Sequence, residues 1–165
     1  LDYNRKQADG PIARETVNLA ELVENVVSAH SLPARAKMMH TELLLSERLC
    51  EAEPALLVSV LDNLYSNAVH YGAESGNIRI HSYRHGDQVR IDVANSGEPI
   101  PAAEKNMIFE PFYQGSHQRK GAVKGSGLGL SIARDCVRQM QGELSLVDAP
   151  AGQVCFRITL PSAPE

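Results

Sequence analysis

From position 124 the chain reads K-G-S-G-L-G-L-S-I-A, with glycine at alternate positions running straight into an apolar stretch. Gly125, Gly127 and Gly129 place no side chain between the peptide planes and a ligand, and they allow positive φ where a turn needs it. A run so rich in glycine forms a turn, and the apolar residues after it start a helix. Bare backbone N–H groups and a helix N-terminus then face outward together, which is the arrangement that cradles phosphate. Glycine-rich turns also open helices that bind nothing, so the remainder of the chain decides between the two readings.

The 165 residues suit one domain with a core of its own. A formal net charge of −4 supplies no overall basic field, which argues against nucleic acid as the main partner. The longest apolar stretches, such as A-L-L-V-S-V-L at 55–61, are far too short to cross a bilayer. Cys50, Cys136 and Cys155 are odd in number and form no C-x-x-C, so they read as small buried hydrophobes in a reducing, cytosolic compartment.

Residues 1–16 are polar, with D-G-P at 9–11, and read as a linker or the frayed end of a preceding element. Asn18 is the expected N-cap of a helix whose apolar positions Leu19, Leu22, Val23, Val26 and Val27 share one face, ending near Pro33 or just after Met38. Residues 41–49 are expected to form one strand. A second helix opens at Pro54, which suits the first helical position, and runs to about Tyr71. Ile78 and Ile80, then Val89, Ile91 and Val93, alternate on either side of H-G-D and predict a hairpin. A short helix is expected over 101–108, a third long helix over 128–140, and a closing hairpin of 143–147 with 154–160. This order predicts an α+β two-layer sandwich: one mixed, mostly antiparallel sheet with three main helices on one face.

The second helix carries N-L-Y-S-N-A-V-H-Y at 63–71. Asn63 and Asn67, four apart, stack on one helix face, with His70 and Tyr71 a turn further on. Asparagine is a poor helix former because its amide competes for backbone hydrogen bonds, so two on one face need a reason. They are either buried amides satisfied by loop carbonyls or ligands for a hard cation that also meets phosphate oxygens. Downstream come V-A-N-S-G-E-P-I-P at 93–101, a strand end breaking into a glycine turn, and F-E-P-F at 109–112, whose phenylalanines read mainly as core.

Taken in order, these four segments resemble the N, G1, F and G2 boxes of the ATP-binding catalytic domain of sensor histidine kinases. That family shares its fold, the Bergerat fold, with gyrase, Hsp90 and MutL. The resemblance covers about residues 17–162, with 163–165 left as a tail, and implies a mobile ATP lid at about 113–126. It implies Mg²⁺ ligation by Asn67 with support from Asn63, phosphate contact by His70, and stacking of Tyr71 along adenine and ribose. It implies that Asn95 meets the adenine amino group and that Gly97 admits the base, with Ile100 and Phe112 also against the nucleotide. Gly125, Ser126, Gly127, Leu128, Gly129 and Leu130 would hold the polyphosphate, joined by Lys120 and Lys124, and Arg119, from the lid.

Three residues depart from the family pattern. Asn95 stands where aspartate is usual, so its bond to an adenine amino group loses charge assistance. Pro99 replaces the second glycine of the G1 box, removing an N–H and fixing φ. His70 replaces a lysine or arginine, so its phosphate contact weakens once the imidazole loses its proton as pH rises. Asn63 stands where the hydrolytic relatives place glutamate, and an amide cannot act as a general base. Of the six histidines, none sits in the H-[ED]-x-x-[TN]-P context of a phosphoacceptor.

The resemblance therefore implies a piece of a larger, homodimeric protein of the bacterial inner membrane, with this domain in the cytoplasm. The expected activity is transfer of the γ-phosphoryl of Mg-ATP to a histidine on the protein's own dimerisation domain, for relay to a response regulator. The alternative is a degenerate, nucleotide-gated interaction module.

Overall fold

The computed structural model describes residues 13–113 and 128–162. Asn18 ends strand β1 (Glu15–Asn18) and caps helix α1 (Leu19–Ala29), its side chain accepting the Glu21 N–H at 3.1 Å, as expected of that residue. The helix does not continue to Pro33. His30 leaves the helical region at φ −111°, and a separate short helix α2 (Ser31–Ala36) holds Pro33 in its first turn, where a missing N–H is harmless.

The single strand expected at 41–49 is two strands in different sheets. β2 (His40–Leu45) joins the main sheet, whereas β3 (Leu49–Ala52) pairs antiparallel with β1, Val17 opposite Cys50. The turn between them is pinned by Ser82, whose hydroxyl donates to the Glu47 carbonyl while the Ser82 carbonyl accepts the Glu47 N–H at 3.1 Å. Glu15 and Thr16, expected in the linker, thus belong to the folded unit, and Thr16 donates to Glu51 at 2.8 Å.

Helix α3 (Pro54–Tyr71) follows, then the hairpin of β4 (Asn77–His85) and β5 (Gln88–Ser96), helix α4 (Gly129–Gln139), and the hairpin of β6 (Glu143–Val147) and β7 (Gln153–Pro161). The expected helix at 101–108 is instead two 3-10 turns, Ala102–Glu104 and Met107–Phe109. Among the described residues the main sheet has five strands in the order β2-β4-β5-β7-β6. Among the described residues only β2 and β4 pair in parallel, a pairing that needs a crossover, and α3 lies within that crossover. Alternate residues of β4, β5 and β7 face the helices in register, for example Ile80 beside Val93 beside Phe156. Between β5 and β7, Arg157 holds Asp92 through two bonds of 2.9 and 3.1 Å, and Tyr83 donates to the same carboxylate at 3.1 Å. Among the described residues, no helix is long and apolar enough to cross a membrane.

The C-terminus of α4 closes with a paired cap. Gln141 N–H donates to the Arg138 carbonyl and Gly142 N–H to that of Val137, each at 3.0 Å, so the left-handed position belongs to Gln141 (φ +65°) and the glycine follows it. Arg14 covers this cap from outside, donating to Met140 O at 3.1 Å and to Gln141 Oε1 at 3.2 Å. Since a side chain with a Cβ is strained at that φ, Gln141→Gly should stabilise the fold by about 1 kcal/mol, net of one exposed hydrogen bond. Urea unfolding with an unchanged slope and a higher midpoint is the expected reading.

Candidate functional site

Helix α3 is built against its own propensities. Asn63, Asn67, Ser59, Ser66 and several β-branched residues each disfavour the helix by up to about 0.7 kcal/mol. Burial of Leu57, Val60, Leu61, Leu64 and Tyr65, all 1% exposed or less, outweighs this at about 1.5–3 kcal/mol per side chain. One strip of the helix is thereby free to be polar. Asn63, Asn67 and Tyr71 follow at intervals of four, all half-buried, with His70 exposed beside Tyr71 and its ring edge-on at 4.5 Å.

At one end of the strip lies the start of α4. A Cβ on Gly129 would sit 3.2 Å from Asn63 Oδ1, so only glycine lets the two backbones come this near without crowding the amide. Asn63 Nδ2 donates back to Ser59 O at 3.0 Å, which leaves its carbonyl oxygen directed toward Gly129. Among the described residues no side chain caps α4, whose N-cap is Leu128, and the N–H groups of a helix's first turn have no partner within the helix itself. Leu130 packs partly buried against the core.

At the other end lies the turn after β5. Asn95 is 6% exposed and stands in register between Ile78 and Val154, where the alternation along β5 otherwise places apolar residues. Its Nδ2 donates to Ser96 O at 3.0 Å, leaving Oδ1 as the acceptor. A Cβ on Gly97 would lie 3.1 Å from Asn95 Nδ2 and 3.2 Å from Tyr71 O, so this glycine allows the turn to rest on the end of α3. Ser96 O accepts the Ala73 N–H at 2.9 Å, and Gly97 N–H donates to Gly152 O at 2.9 Å, which fixes the turn on both sides. Ile100 is partly buried against the core.

The two aromatics of F-E-P-F separate. Phe109 is buried edge-on against Phe156 at 6.0 Å and lies under the Arg134 guanidinium at 4.5 Å. Phe112, expected mainly in the core, is 68% exposed, because the turn after Pro111 puts it at φ +63° and swings its side chain outward. No described contact joins Phe112 to the strip on α3. Lys120, Lys124, Gly125, Ser126 and Gly127, with Arg119 and the lid beyond Tyr113, lie outside the described residues.

The three cysteines are buried and free. Burial, reinforced by Glu51 and Glu47, pushes the Cys50 thiol up to about 12, and burial with Asp92 pushes Cys155 up to about 11, so neither is a thiolate nucleophile at neutral pH. Burial also raises Tyr71 above the usual phenol range, which keeps it a neutral surface for a ring to lie on. Among the described residues no group of three or more His, Cys, Asp or Glu side chains could hold a metal ion. On the strip of α3 itself, the oxygens that Asn63 and Asn67 could offer a cation are those of neutral amides. Lys37, to which the sequence offered no pointer, also belongs to this region: its ammonium binds the carbonyls at the end of α3.

Residues 52–164 match the model of the family described as histidine kinase-, DNA gyrase B-, and HSP90-like ATPase. The chain is 72% identical over 163 residues to the sensor histidine kinase GlrK of Escherichia coli strain K12, a match covering 99% of this chain and 34% of GlrK. It thus spans about a third of the length of that relative. The nucleotide-free catalytic domain of histidine kinase ThkA superposes with a TM-score of 0.78 at 30% identity, covering 93% of this chain and all of that one. ThkA in complex with response regulator protein TrrA superposes at 0.76 and 28% identity over 92% of this chain and 42% of that one.

Proposed function

The chain belongs to the histidine kinase-, DNA gyrase B-, and HSP90-like ATPase family, and from that premise we propose that it binds Mg-ATP and donates the γ-phosphoryl to a histidine of its own dimerisation domain. The observation that carries this reading is the polar strip of α3, met at one end by Gly129 beside Asn63 and at the other by Gly97 beside Tyr71. Eight residues of helix separate those ends, about 12 Å, enough to lay a base at one and its phosphates at the other.

Each end supplies a different chemistry. The first-turn N–H groups of α4 receive phosphate oxygens. Asn67, with Asn63 a turn earlier, would hold Mg²⁺; the ion, when bound, neutralises charge on the outer phosphates. Asn95 Oδ1 accepts from the adenine amino group, and the Tyr71 ring lies along base and ribose. Water is given no base on this strip. Asp62, the one acid of α3, is paired with His30 Nε2 at 2.7 Å, facing α1. The site thus serves an external nucleophile: an imidazole nitrogen forms the new N–P bond as the bond to ADP breaks, and the imidazole proton leaves to solvent.

ThkA has been seen with a response regulator, and a phosphohistidine made here would pass its phosphoryl to such a receiver. The parent protein would be a homodimer of the bacterial inner membrane with this domain in the cytoplasm. Binding is tested by the thermal midpoint of the purified chain with Mg²⁺ and a non-hydrolysable ATP analogue. At a hundred times the dissociation constant the ligand should add about 2.7 kcal/mol, raising the midpoint by roughly 5–10 °C. An unmoved midpoint removes the nucleotide from this site.

Asn95 bears on which nucleotide. Its amide accepts from the adenine amino group but can also turn its NH₂ to the guanine carbonyl, which a carboxylate would repel. Asn95→Asp should therefore raise the preference for ATP over GTP by about tenfold, the worth of one charge-assisted bond over a neutral one. Competition titrations of both nucleotides read it directly, and equal selectivity in the two proteins refutes the role given to Asn95.

A further inference from the structure

Lys37 follows α2 and reaches the C-terminus of α3, more than thirty residues away in the chain. Its Nζ donates to Gly72 O at 2.7 Å, Val69 O at 2.8 Å and His70 O at 3.0 Å. An ammonium has three donors, and here all three are used on one helix end. The last carbonyls of a helix have no partner within it and carry the negative end of its dipole, so a cation there is favourable twice over. α3 has no left-handed residue to close it: its C-cap, Gly72, is extended at φ −68° and ψ 159°. The lysine supplies the closure that the backbone does not. The main chain reinforces it, since Lys37 O accepts the Ser75 N–H at 2.8 Å.

The carbonyls it holds bracket Tyr71. Tyr71 O and Gly72 Cα are the atoms on which the turn at Gly97 rests, 3.2 and 3.6 Å from where a Cβ would stand. The other end of the strip, Asn63 against Gly129, is two helical turns away from the carbonyls that Lys37 holds.

We propose that Lys37 is the positioning residue for the base-binding end of the site, setting Tyr71 and the Gly97 turn at the separation a nucleobase needs. The proposal rests on the nucleotide-binding reading above. It separates two functions that a general loss of stability would damage together: recognition of the base depends on Lys37, and recognition of the phosphate tail does not.

The test is an NMR titration of the whole chain with two probes, adenosine and magnesium tripolyphosphate, in the wild type, Lys37→Met and Lys37→Arg. Methionine keeps the apolar stem and loses the charge and donors; arginine keeps both. Lys37→Met should weaken adenosine by about tenfold and leave tripolyphosphate within about twofold, while Lys37→Arg should bring adenosine back to within about threefold of wild type. Unchanged adenosine affinity in the methionine variant overturns the proposal, as does an equal loss for both probes or an arginine variant as weak as the methionine one. A wild type that binds neither probe instead refutes the nucleotide reading. Should Lys37→Met not fold, Lys37→Gln carries the same comparison with one neutral donor retained.

Discussion

Replacing Asn67 with alanine should lower magnesium-dependent phosphoryl transfer to a supplied histidine-bearing helical domain by about two to three orders of magnitude, with the fold intact. The sign of the stability change makes this test clean. Asn67 is half-buried on the polar strip of α3, so truncation opens no enclosed cavity. Alanine is the better helix former by about 0.6 kcal/mol, so the variant should melt slightly higher, not lower. Lost activity therefore cannot be assigned to unfolding. Magnesium should also cease to strengthen nucleotide binding, while metal-free nucleotide binds as before, because Asn95 and the Gly97 turn are untouched. Transfer within about fivefold of wild type would return Asn67 to a structural role. Nucleotide binding without transfer in the wild type would favour a nucleotide-gated module over a kinase.

Elements whose signals are local could be read from the sequence. Pro54 at the first helical position and the spacing of Leu57, Leu61 and Leu64 mark α3 from Pro54 to Tyr71, and Asn18 acts as the N-cap its residue type suggests. Both hairpins follow their alternation, because one face of each is buried and the other is not. What escaped depends on partners distant in the chain. Residues 41–49 hold no glycine or proline that would mark a break, yet Ser82 pins the chain at Glu47, and Cys50 turns away to face Val17. Nothing within 15–18 announces a strand until that partner is present. The site divides the same way: Asn63, Asn67 and Asn95 stand out as amides among apolar neighbours, whereas Lys37 is an ordinary lysine until α3 ends beside it. Phe112 escaped for a backbone reason, since an aromatic residue at positive φ is rare enough that its sequence suggests the opposite placement.

Gly142→Ala should destabilise the chain by about 3 kcal/mol, lowering the melting midpoint by roughly 6–12 °C, for a single added methyl. Gly142 is the residue by which α4 hands over to β6, and there a Cβ would overlap the Thr159 carbonyl oxygen. It would also stand 2.9 Å from Leu160 Cδ2 and 3.1 Å from Val137 Cγ1. A leucine methyl can rotate aside, but Thr159 lies in β7 opposite both Glu143 and Arg90, so its carbonyl cannot retreat without opening a ladder. The strain must pass to α4, whose other end sets Gly129 against Asn63. Tripolyphosphate affinity should therefore fall with stability, the reverse of the selectivity expected for Lys37. Gln141→Gly, one residue earlier, should move stability the opposite way, so the two variants together separate a left-handed backbone from a crowded one. A urea midpoint for Gly142→Ala equal to that of the wild type would mean that the contact between the α4 cap and β7 is looser than a methyl group.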